Sequence, residues 1–262
     1  MSGVFARIAA TLALEDPHAK LMATRALARD WRLGRLGWDA GVAMPERPGR
    51  PAAPELLPPN RMPKRGRAGS ERGRIALWHA LAHIECVAID LALDMAGRFG
   101  ADMGRDFVSD FLRVAADEAL HYALIARHLR GLGSHYGALP AHDGLWEAAH
   151  ATRHDVAARL AVVPMVLEAR GLDVTPATHE RVAASGDARG AAILARILAD
   201  EIRHVAVGSK HFAAWCDAHG ESFEPHWKSL VNRHFRGAIK PPFNDSARQA
   251  AGLSREMYEA LA

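Results

Sequence analysis

The sequence predicts an all-α protein, and three observations support this fold class. Only 6% of the 262 residues are aromatic, whereas helix-forming Ala, Leu, Arg and Glu abound. Apolar residues recur at spacings of three and four through several long segments, and Pro and Gly clusters separate those segments. With 49% hydrophobic residues, the chain can also bury a substantial core. We therefore expect a helical bundle.

Four long helices are predicted, and shorter helices and straps surround them. The long helices are expected at about 70–98, 104–131, 145–171 and 187–218, joined first by a turn at 99–102. The third should be kinked by Pro164 and end at Gly171. Short helices are expected at 3–14, 17–33, 176–184, 222–234 and 244–261, with a Pro-rich strap at 45–66 and a second strap at 236–246.

These elements suggest a division of the chain into three parts. Residues 1–69 hold the N-terminal helices and a Pro-rich basic strap, residues 70–220 the four-helix bundle, and residues 221–262 the C-terminal helices that pack on it. No period of 20 to 50 residues repeats often enough to indicate a solenoid.

Cysteine usage and the N-terminus indicate a cytoplasmic protein. Cys86 and Cys216 are far apart, so neither a disulfide framework nor a Cys-rich zinc site is expected. The N-terminus has no basic region before its apolar stretch, and no apolar run reaches the roughly 18 residues that a membrane span needs. We expect no membrane partner.

Positive charge is concentrated near the N-terminus. Residues 1–75 carry 14 Lys and Arg against 7 Asp and Glu, and the excess is greatest in residues 61–74, "RMPKRGRAGSERGR". Such a segment can attract RNA, although a solvated basic linker is the simpler interpretation because no aromatic residues alternate with the charges.

Two segments share the frame Asp-Glu-x-x-His, at Asp117–His121 and at Asp200–His204. A Glu and a His at positions i and i+3 lie on one face of a helix and can bind one metal ion together. The pairs in Glu15–His18 and Glu147–His150 lie at helix starts, and we set them aside as ordinary solvated residues. The shared longer frame predicts two metal-binding half-sites.

Two further acids complete this pattern. Glu85 and Glu168 each lie in an apolar segment where an unpartnered carboxylate would be costly, and each precedes a frame Glu by 33 residues. Four carboxylates and two imidazoles suit iron or manganese better than structural zinc. The predicted metal ligands are Glu85, Glu118, His121, Glu168, Glu201 and His204.

Tyr122 and four further histidines are expected to have roles other than metal binding. Tyr122 lies one turn after Glu118 and is a candidate for redox or proton chemistry, or a core tyrosine with a satisfied hydroxyl. Packing or surface roles are expected for four of the other histidines, namely His79, His83, His128 and His211.

The order Glu, Glu-x-x-His, Glu, Glu-x-x-His resembles the ferritin-like di-iron carboxylate superfamily. More narrowly, "AHIECVAIDLALD", "VAADEALH", "LPAHDGLWEAA", "VLEARGLDVTP" and "DEIRHVAVG" resemble a bacterial ferritin-like family classed as domain of unknown function 455, over roughly residues 45–252. A more distant similarity is to the ferritin-like tRNA hydroxylases. The resemblance implies a ferritin-like four-helix bundle with metal at the six residues, supported by Asp117, Asp200 and Arg203. Leu120 stands where the first frame would usually have Arg.

The predicted function is an oxidoreductase that uses two metal ions, iron or alternatively manganese, to activate dioxygen or peroxide. A hydroxylase of an unknown small molecule is one form of this function. The alternatives are a non-catalytic metal-binding or storage protein, a manganese catalase-like enzyme, and a tRNA-modifying hydroxylase that uses the basic segment. The extra helices and straps favour an enzyme because they could shape a pocket. The electron donor and any oligomeric state are left open.

Overall fold

The computed structural model describes residues 3–63 and 70–262. This part of the chain contains isolated β-bridges but no strand, which confirms the predicted all-α class. Its helices are α1 (Val4–Leu12), α2 (Pro17–Arg32), α3 (Glu71–Met103), α4 (Arg105–Gly131), α5 (Gly144–Ala151), α6 (Val156–Val162), α7 (Ala169–Ala184), α8 (Ala188–His219), α9 (Phe223–His234), α10 (Asp245–Ala250) and α11 (Arg255–Glu259).

The chain divides into two compact units, Met1–Trp146 and Glu147–Ala262. The division into residues 1–69, 70–220 and 221–262 stays a prediction.

Helices α3 and α4 form an antiparallel pair in the first unit. A single residue, Gly104, ends α3 and begins α4, and its φ of 89° is one that favours glycine. The predicted turn at 99–102 was wrong, because α3 continues to Met103. Gly100 serves packing instead, since a Cβ atom there would lie 2.4 Å from Cγ2 of Val108 on α4.

The N-terminal helices and the Pro-rich strap lie against this pair. The Asp16 carboxylate accepts a hydrogen bond from the His18 amide and begins α2, as the sequence predicts. The strap has no α-helix in its described residues, only a 3₁₀ turn at Pro59–Arg61. Buried Lys20 Nζ donates to the Gly49 carbonyl at 2.8 Å and to Asp90 Oδ1 at 2.7 Å. Lys20 of α2 therefore links the strap to α3, through a hydrogen bond to Gly49 and a buried ion pair with Asp90.

In the second unit, the predicted continuous helix at 145–171 was wrong. Helix α5 ends at Ala151, and the Asp155 carboxylate begins α6 by accepting from the Ala158 amide at 3.0 Å. Pro164 lies in a π-helical segment, Val163–Glu168, because proline cannot complete the regular α-helical hydrogen bonds.

Gly171 does not end a helix in the second unit, contrary to the prediction. Apart from its own helix, no described residue has an atom within 4 Å of where a Cβ on Gly171 would be, and α7 continues through it to Ala184. The separate short helix predicted near 176–184 is consequently the second half of α7.

Helix α8 packs against α7 and has the predicted ends. The Asp187 carboxylate accepts from the Gly190 amide at 2.8 Å, and Gly220 ends the helix with a φ of 68°. The C-terminal helices are attached by buried Arg248, which donates to both carboxylate oxygens of Asp173 at 2.8 and 2.7 Å. This bidentate contact resembles the strap attachment in the first unit.

Helix α3 is long and apolar enough to cross a membrane by length and composition. However, 67% of its most apolar 18-residue window is buried within the protein, which is typical of a core helix. The cytoplasmic location stays a prediction.

The two cysteines and the basic segment at 61–74 were also singled out in the sequence. Both cysteines are buried and free, at 3% exposure for Cys86 and 1% for Cys216, so no disulfide is formed. Of the basic segment at 61–74, residues 64–69 lie outside the described part of the chain.

Candidate metal centre

Three of the predicted ligands form one buried cluster in the first unit. Glu85 lies on α3, and Glu118 and His121 lie one turn apart on α4. The Nδ1 atom of His121 is 3.3 Å from Glu118 Oε2 and 3.4 Å from Glu85 Oε2. All three side chains are at least 95% buried, and they offer ligand atoms within 4.8 Å of one another.

The charges in this cluster depend strongly on one another. Burial raises the pKa of Glu85 well above its usual range, and the neighbouring Glu118 carboxylate raises it further. Burial lowers the pKa of His121, but its hydrogen bonds to Glu118 and Glu85 outweigh burial and raise that pKa to about 11. Two buried carboxylates that repel each other would both be stabilised as anions by a divalent cation. The donor set therefore fits a metal ion.

The second unit holds the other three predicted ligands. Glu201 and His204 are buried one turn apart on α8, with His204 Nδ1 3.7 Å from Glu201 Oε2. Glu168 is half-buried and is the last residue of the π-helical segment. No sequence pattern indicated that Glu168 would lie in a π-helical turn.

The flanking residues differ between the two frames. Asp200 is buried, and it accepts from Arg196 Nε at 2.5 Å and from Arg203. Arg203 thus contacts the Asp three residues before it, whereas the corresponding position on α4 is Leu120. Asp117 is half-buried. The supporting role of these residues toward a metal stays a prediction.

Tyr122 is 93% buried on α4 and follows His121 directly. Its ring lies edge-on to Tyr136, with ring centroids 5.6 Å apart. Burial raises the pKa of the Tyr122 hydroxyl above its usual range, so the hydroxyl remains protonated. It is buried in the core and also lines a pocket.

His79, His83, His128 and His211 are all buried. His79 and His83 hold the loop after α4: His79 Nε2 accepts from Gly137 N at 3.0 Å, and His83 contacts Tyr136 Oη at 3.0 Å. His128 packs on Trp78, with ring centroids 4.3 Å apart. These contacts agree with the packing roles expected for them.

The sequence interpretation missed the buried acid Asp90. It is 0% exposed and contacts Lys20 and Arg50, 2.7 and 3.1 Å away. Burial raises its pKa despite these two cations. An acid inside the apolar segment "CVAIDLALD" was a signal for a buried partner, but the partners lie 70 and 40 residues earlier and could not be identified from local spacing.

The fold and the site define an all-helical protein that buries acids and an imidazole in one cluster suited to a metal ion. The chain belongs to the family described as "Protein of unknown function (DUF455)", which it matches over residues 13–259. It is also similar to an uncharacterized protein of Haemophilus influenzae (strain ATCC 51907 / DSM 11121 / KW20 / Rd), with 43% identity over 211 residues, 78% of this chain and 73% of the relative. No solved structure matches it. The membership confirms the resemblance to domain of unknown function 455, and the ferritin-like assignment stays a prediction.

Proposed function

We propose that this chain is a dimetal carboxylate oxidoreductase that acts on dioxygen or peroxide. The observation that carries the proposal is the buried cluster of Glu85, Glu118 and His121. Buried acids at this spacing are unfavourable as a purely structural arrangement, because each carboxylate raises the free energy of ionising the other.

The proposal assigns two acids and one imidazole to each half of the sequence. Glu85, Glu118 and His121 form the first half-site, and Glu168, Glu201 and His204 the second. The joining of the halves into one centre rests on the repeated Asp-Glu-x-x-His frame and on the resemblance to ferritin-like four-helix bundles. Oxygen-rich donor sets of this kind favour iron, with manganese as the alternative.

The bound metal ions would supply redox chemistry at a site from which the protein excludes water. The chain's own contribution is the placement of charge. Buried Glu118 and Glu85 balance the positive charge of the ions, and the imidazole of His121 must give up its proton to act as a ligand. Metal binding should therefore release protons and weaken as the pH falls.

A substrate oxygenase is favoured over a storage protein by one observation. The first unit has a pocket of about 250 Å³ lined by Tyr122, the residue next to His121 in the chain. Tyr122 is on the helix that carries Glu118 and His121, so this pocket gives a small molecule a place to bind in the same unit as the first half-site. This observation supports a small-molecule substrate over tRNA.

Metal analysis of anaerobically purified protein tests the proposal. We expect two iron or manganese ions per chain, and an optical band that appears transiently when oxygen or peroxide is added. Glu118→Ala should lose most of the bound metal, because it removes a ligand from the buried cluster. Glu147→Ala is the matched control, since exposed Glu147 has the same Glu-x-x-His spacing but lies at the start of α5.

Two outcomes would contradict the proposal. Full metal content in Glu118→Ala would remove this residue from the ligand set. A stable metal-loaded protein with no spectral response to oxygen or peroxide would instead favour metal storage. Circular dichroism of each variant separates loss of ligand from loss of fold.

A further inference from the structure

The pocket that contains Tyr122 is lined by groups with complementary chemistry. It lies within the first unit, between the start of α2, the strap, the C-terminal half of α4 and the loop that follows α4. Two prolines and two alanines form its apolar walls. Its remaining lining residues are Asp16, His18, Tyr122, Arg130, His135 and Tyr136.

The polar groups of the pocket are available to a ligand. Arg130 is exposed and makes no ion pair within the described part of the chain. The Tyr122 hydroxyl likewise makes no hydrogen bond to the described residues, although its side chain is 93% buried. A protonated phenol and a guanidinium are both hydrogen-bond donors. The Tyr122 hydroxyl and the Arg130 guanidinium can therefore both donate hydrogen bonds to a ligand in the pocket.

The aromatic rings of the pocket are held in place by the surrounding protein. The Nε2–H group of His83 donates to the His142 carbonyl at 3.0 Å, so its Nδ1 atom must accept from the Tyr136 hydroxyl at 3.0 Å. Tyr122 meets the Tyr136 ring edge-on at an interplanar angle of 86°. A fixed pair of rings favours a flat apolar ligand body, since little side-chain freedom is lost on binding.

The charge of the pocket limits the anions that fit. Arg130 supplies one positive charge, whereas the carboxylate of Asp16 also lines the pocket and caps α2. The formal charges of Arg130 and Asp16 cancel, so the pocket offers one guanidinium to pair with a carboxylate and no excess positive charge to favour a doubly charged phosphate. A planar carboxylate also matches the fork of an arginine side chain.

We propose that this pocket binds a small aromatic carboxylate, which Arg130 pairs with and which Tyr122 and Tyr136 hold by its ring. The Tyr122 hydroxyl donates a second hydrogen bond to the carboxylate. The pocket is small for a ligand site, so its occupant is a single-ring compound. The proposal concerns binding alone and does not depend on the proposed metal chemistry.

Calorimetric titration of the full chain with benzoate tests this proposal, with benzamide as the uncharged analogue. We expect benzoate to bind and benzamide to bind at least about tenfold more weakly, because it lacks the charge that pairs with Arg130. Arg130→Gln should weaken benzoate binding about 10- to 100-fold. Arg127 is an exposed arginine on α4 that does not line the pocket, so Arg127→Gln should leave benzoate affinity unchanged. Tyr122→Phe should weaken benzoate binding a few-fold.

Several results would overturn the proposal. These are no benzoate binding at millimolar concentration, equal binding of benzoate and benzamide, unchanged binding by Arg130→Gln, or inorganic phosphate binding more tightly than benzoate. The titrations are run on protein treated with a chelator and on protein supplied with iron. Benzoate binding to the chelator-treated protein supports the proposed binding site even if the protein is shown to hold no metal.

Discussion

His79 is a single buried residue that fixes the loop after α4. Its Nε2 atom accepts hydrogen bonds from the Gly137 amide at 3.0 Å and from the Leu139 amide at 3.3 Å. Only a neutral imidazole can accept them. Burial lowers the pKa of His79 below 6.5, and nearby His135 lowers it further. The neutral form is therefore the one compatible with the closed loop.

The loop should loosen as the pH falls. Above pH 6.5, His79 is neutral whether the loop is closed or open, so the hydrogen bonds contribute fully. Below pH 6.5, the open state gains a proton that the closed state does not, and the closed state loses relative stability. We expect hydrogen-exchange protection of the Gly137 and Leu139 amides to fall between about pH 7.5 and pH 5.

The control for this prediction is built into the same experiment. The Gly186 amide donates to the Ala183 carbonyl and involves no histidine, so its protection should change little. In His79→Gln the loop should lose the pH dependence, because the amide side chain does not titrate. Persistence of the same pH dependence in that variant would assign it to another group.

At this scale, the sequence predicted that Glu85, Glu118 and His121 lie together, but not the distant contacts of the residues around them. Glu118 and His121 could be paired because helix geometry is local and fixes which residues three apart share a face. Glu85 could be added because an acid in an apolar segment needs a buried partner. The contact between Tyr136 and His83 joins positions 53 residues apart, and no local rule predicts which distant side chain comes near.

Two glycines inside helices of the second unit have opposite surroundings. A Cβ atom on Gly208 of α8 would lie 2.5 Å from Cβ and Cγ of Pro164 in the π-helical segment. A Cβ atom on Gly171 of α7 would meet no atom within 4 Å. The first glycine is required by packing, whereas the second has no such requirement.

Substitution of these glycines by alanine should change stability in opposite directions. Gly208→Ala should lower the free energy of unfolding by about 1–3 kcal/mol, because the clash with Pro164 outweighs the better helix propensity of alanine. Gly171→Ala should raise it by up to about 1 kcal/mol. Urea denaturation of both variants measures these changes. A stabilising Gly208→Ala would show that the π-helical segment can move away from α8.

Element boundaries were predictable where a capping residue fixes them. Helices α2 and α8 begin close to the predicted positions, 17 and 187, where the side chains of Asp16 and Asp187 each accept an amide hydrogen bond. The boundaries taken from Gly100 and Gly171 were wrong, because a glycine inside a helix and a glycine that ends one look alike in sequence. Tertiary packing decides between the two.

On the scale of the whole molecule, buried ion pairs attach the terminal segments to the long helices. Lys20 and Arg50 contact Asp90 in the first unit, and Arg248 contacts Asp173 in the second. Removing one partner of such a pair leaves a buried charge without compensation, which costs about 3–5 kcal/mol. The N-terminal segments are thus part of the first unit's core rather than appendages.

Loss of Lys20 should therefore destabilise the whole first unit. We expect Lys20→Met to lower the free energy of unfolding by about 3 kcal/mol, and Lys20→Met/Asp90→Asn to recover part of the loss because the acid is then uncharged. Lys228→Met is the control, since its pair with Glu224 is partly exposed and should be worth less than about 1 kcal/mol.

The contacts of Asp90 with Lys20 and Arg50 cross the predicted boundary at residue 69. A chain that begins at Ser70 lacks both cations that contact Asp90, and we expect it not to unfold cooperatively. The composition and spacing that predicted the all-α class also suggested this boundary, because a Pro-rich basic stretch looks like a linker in sequence. The buried contacts of the strap depend on residues far along the chain.

Burial of Cys86 and Cys216 has a practical consequence for spectroscopy. Burial raises the pKa of each thiol to about 11, so at neutral pH very little of either is the reactive thiolate. A cysteine introduced at an exposed position in each unit, such as Arg127 or Glu221, would accept a spin label or fluorophore while the native thiols stay unmodified. Distances between such labels could then follow the two units in solution, with the natural cysteines left in place.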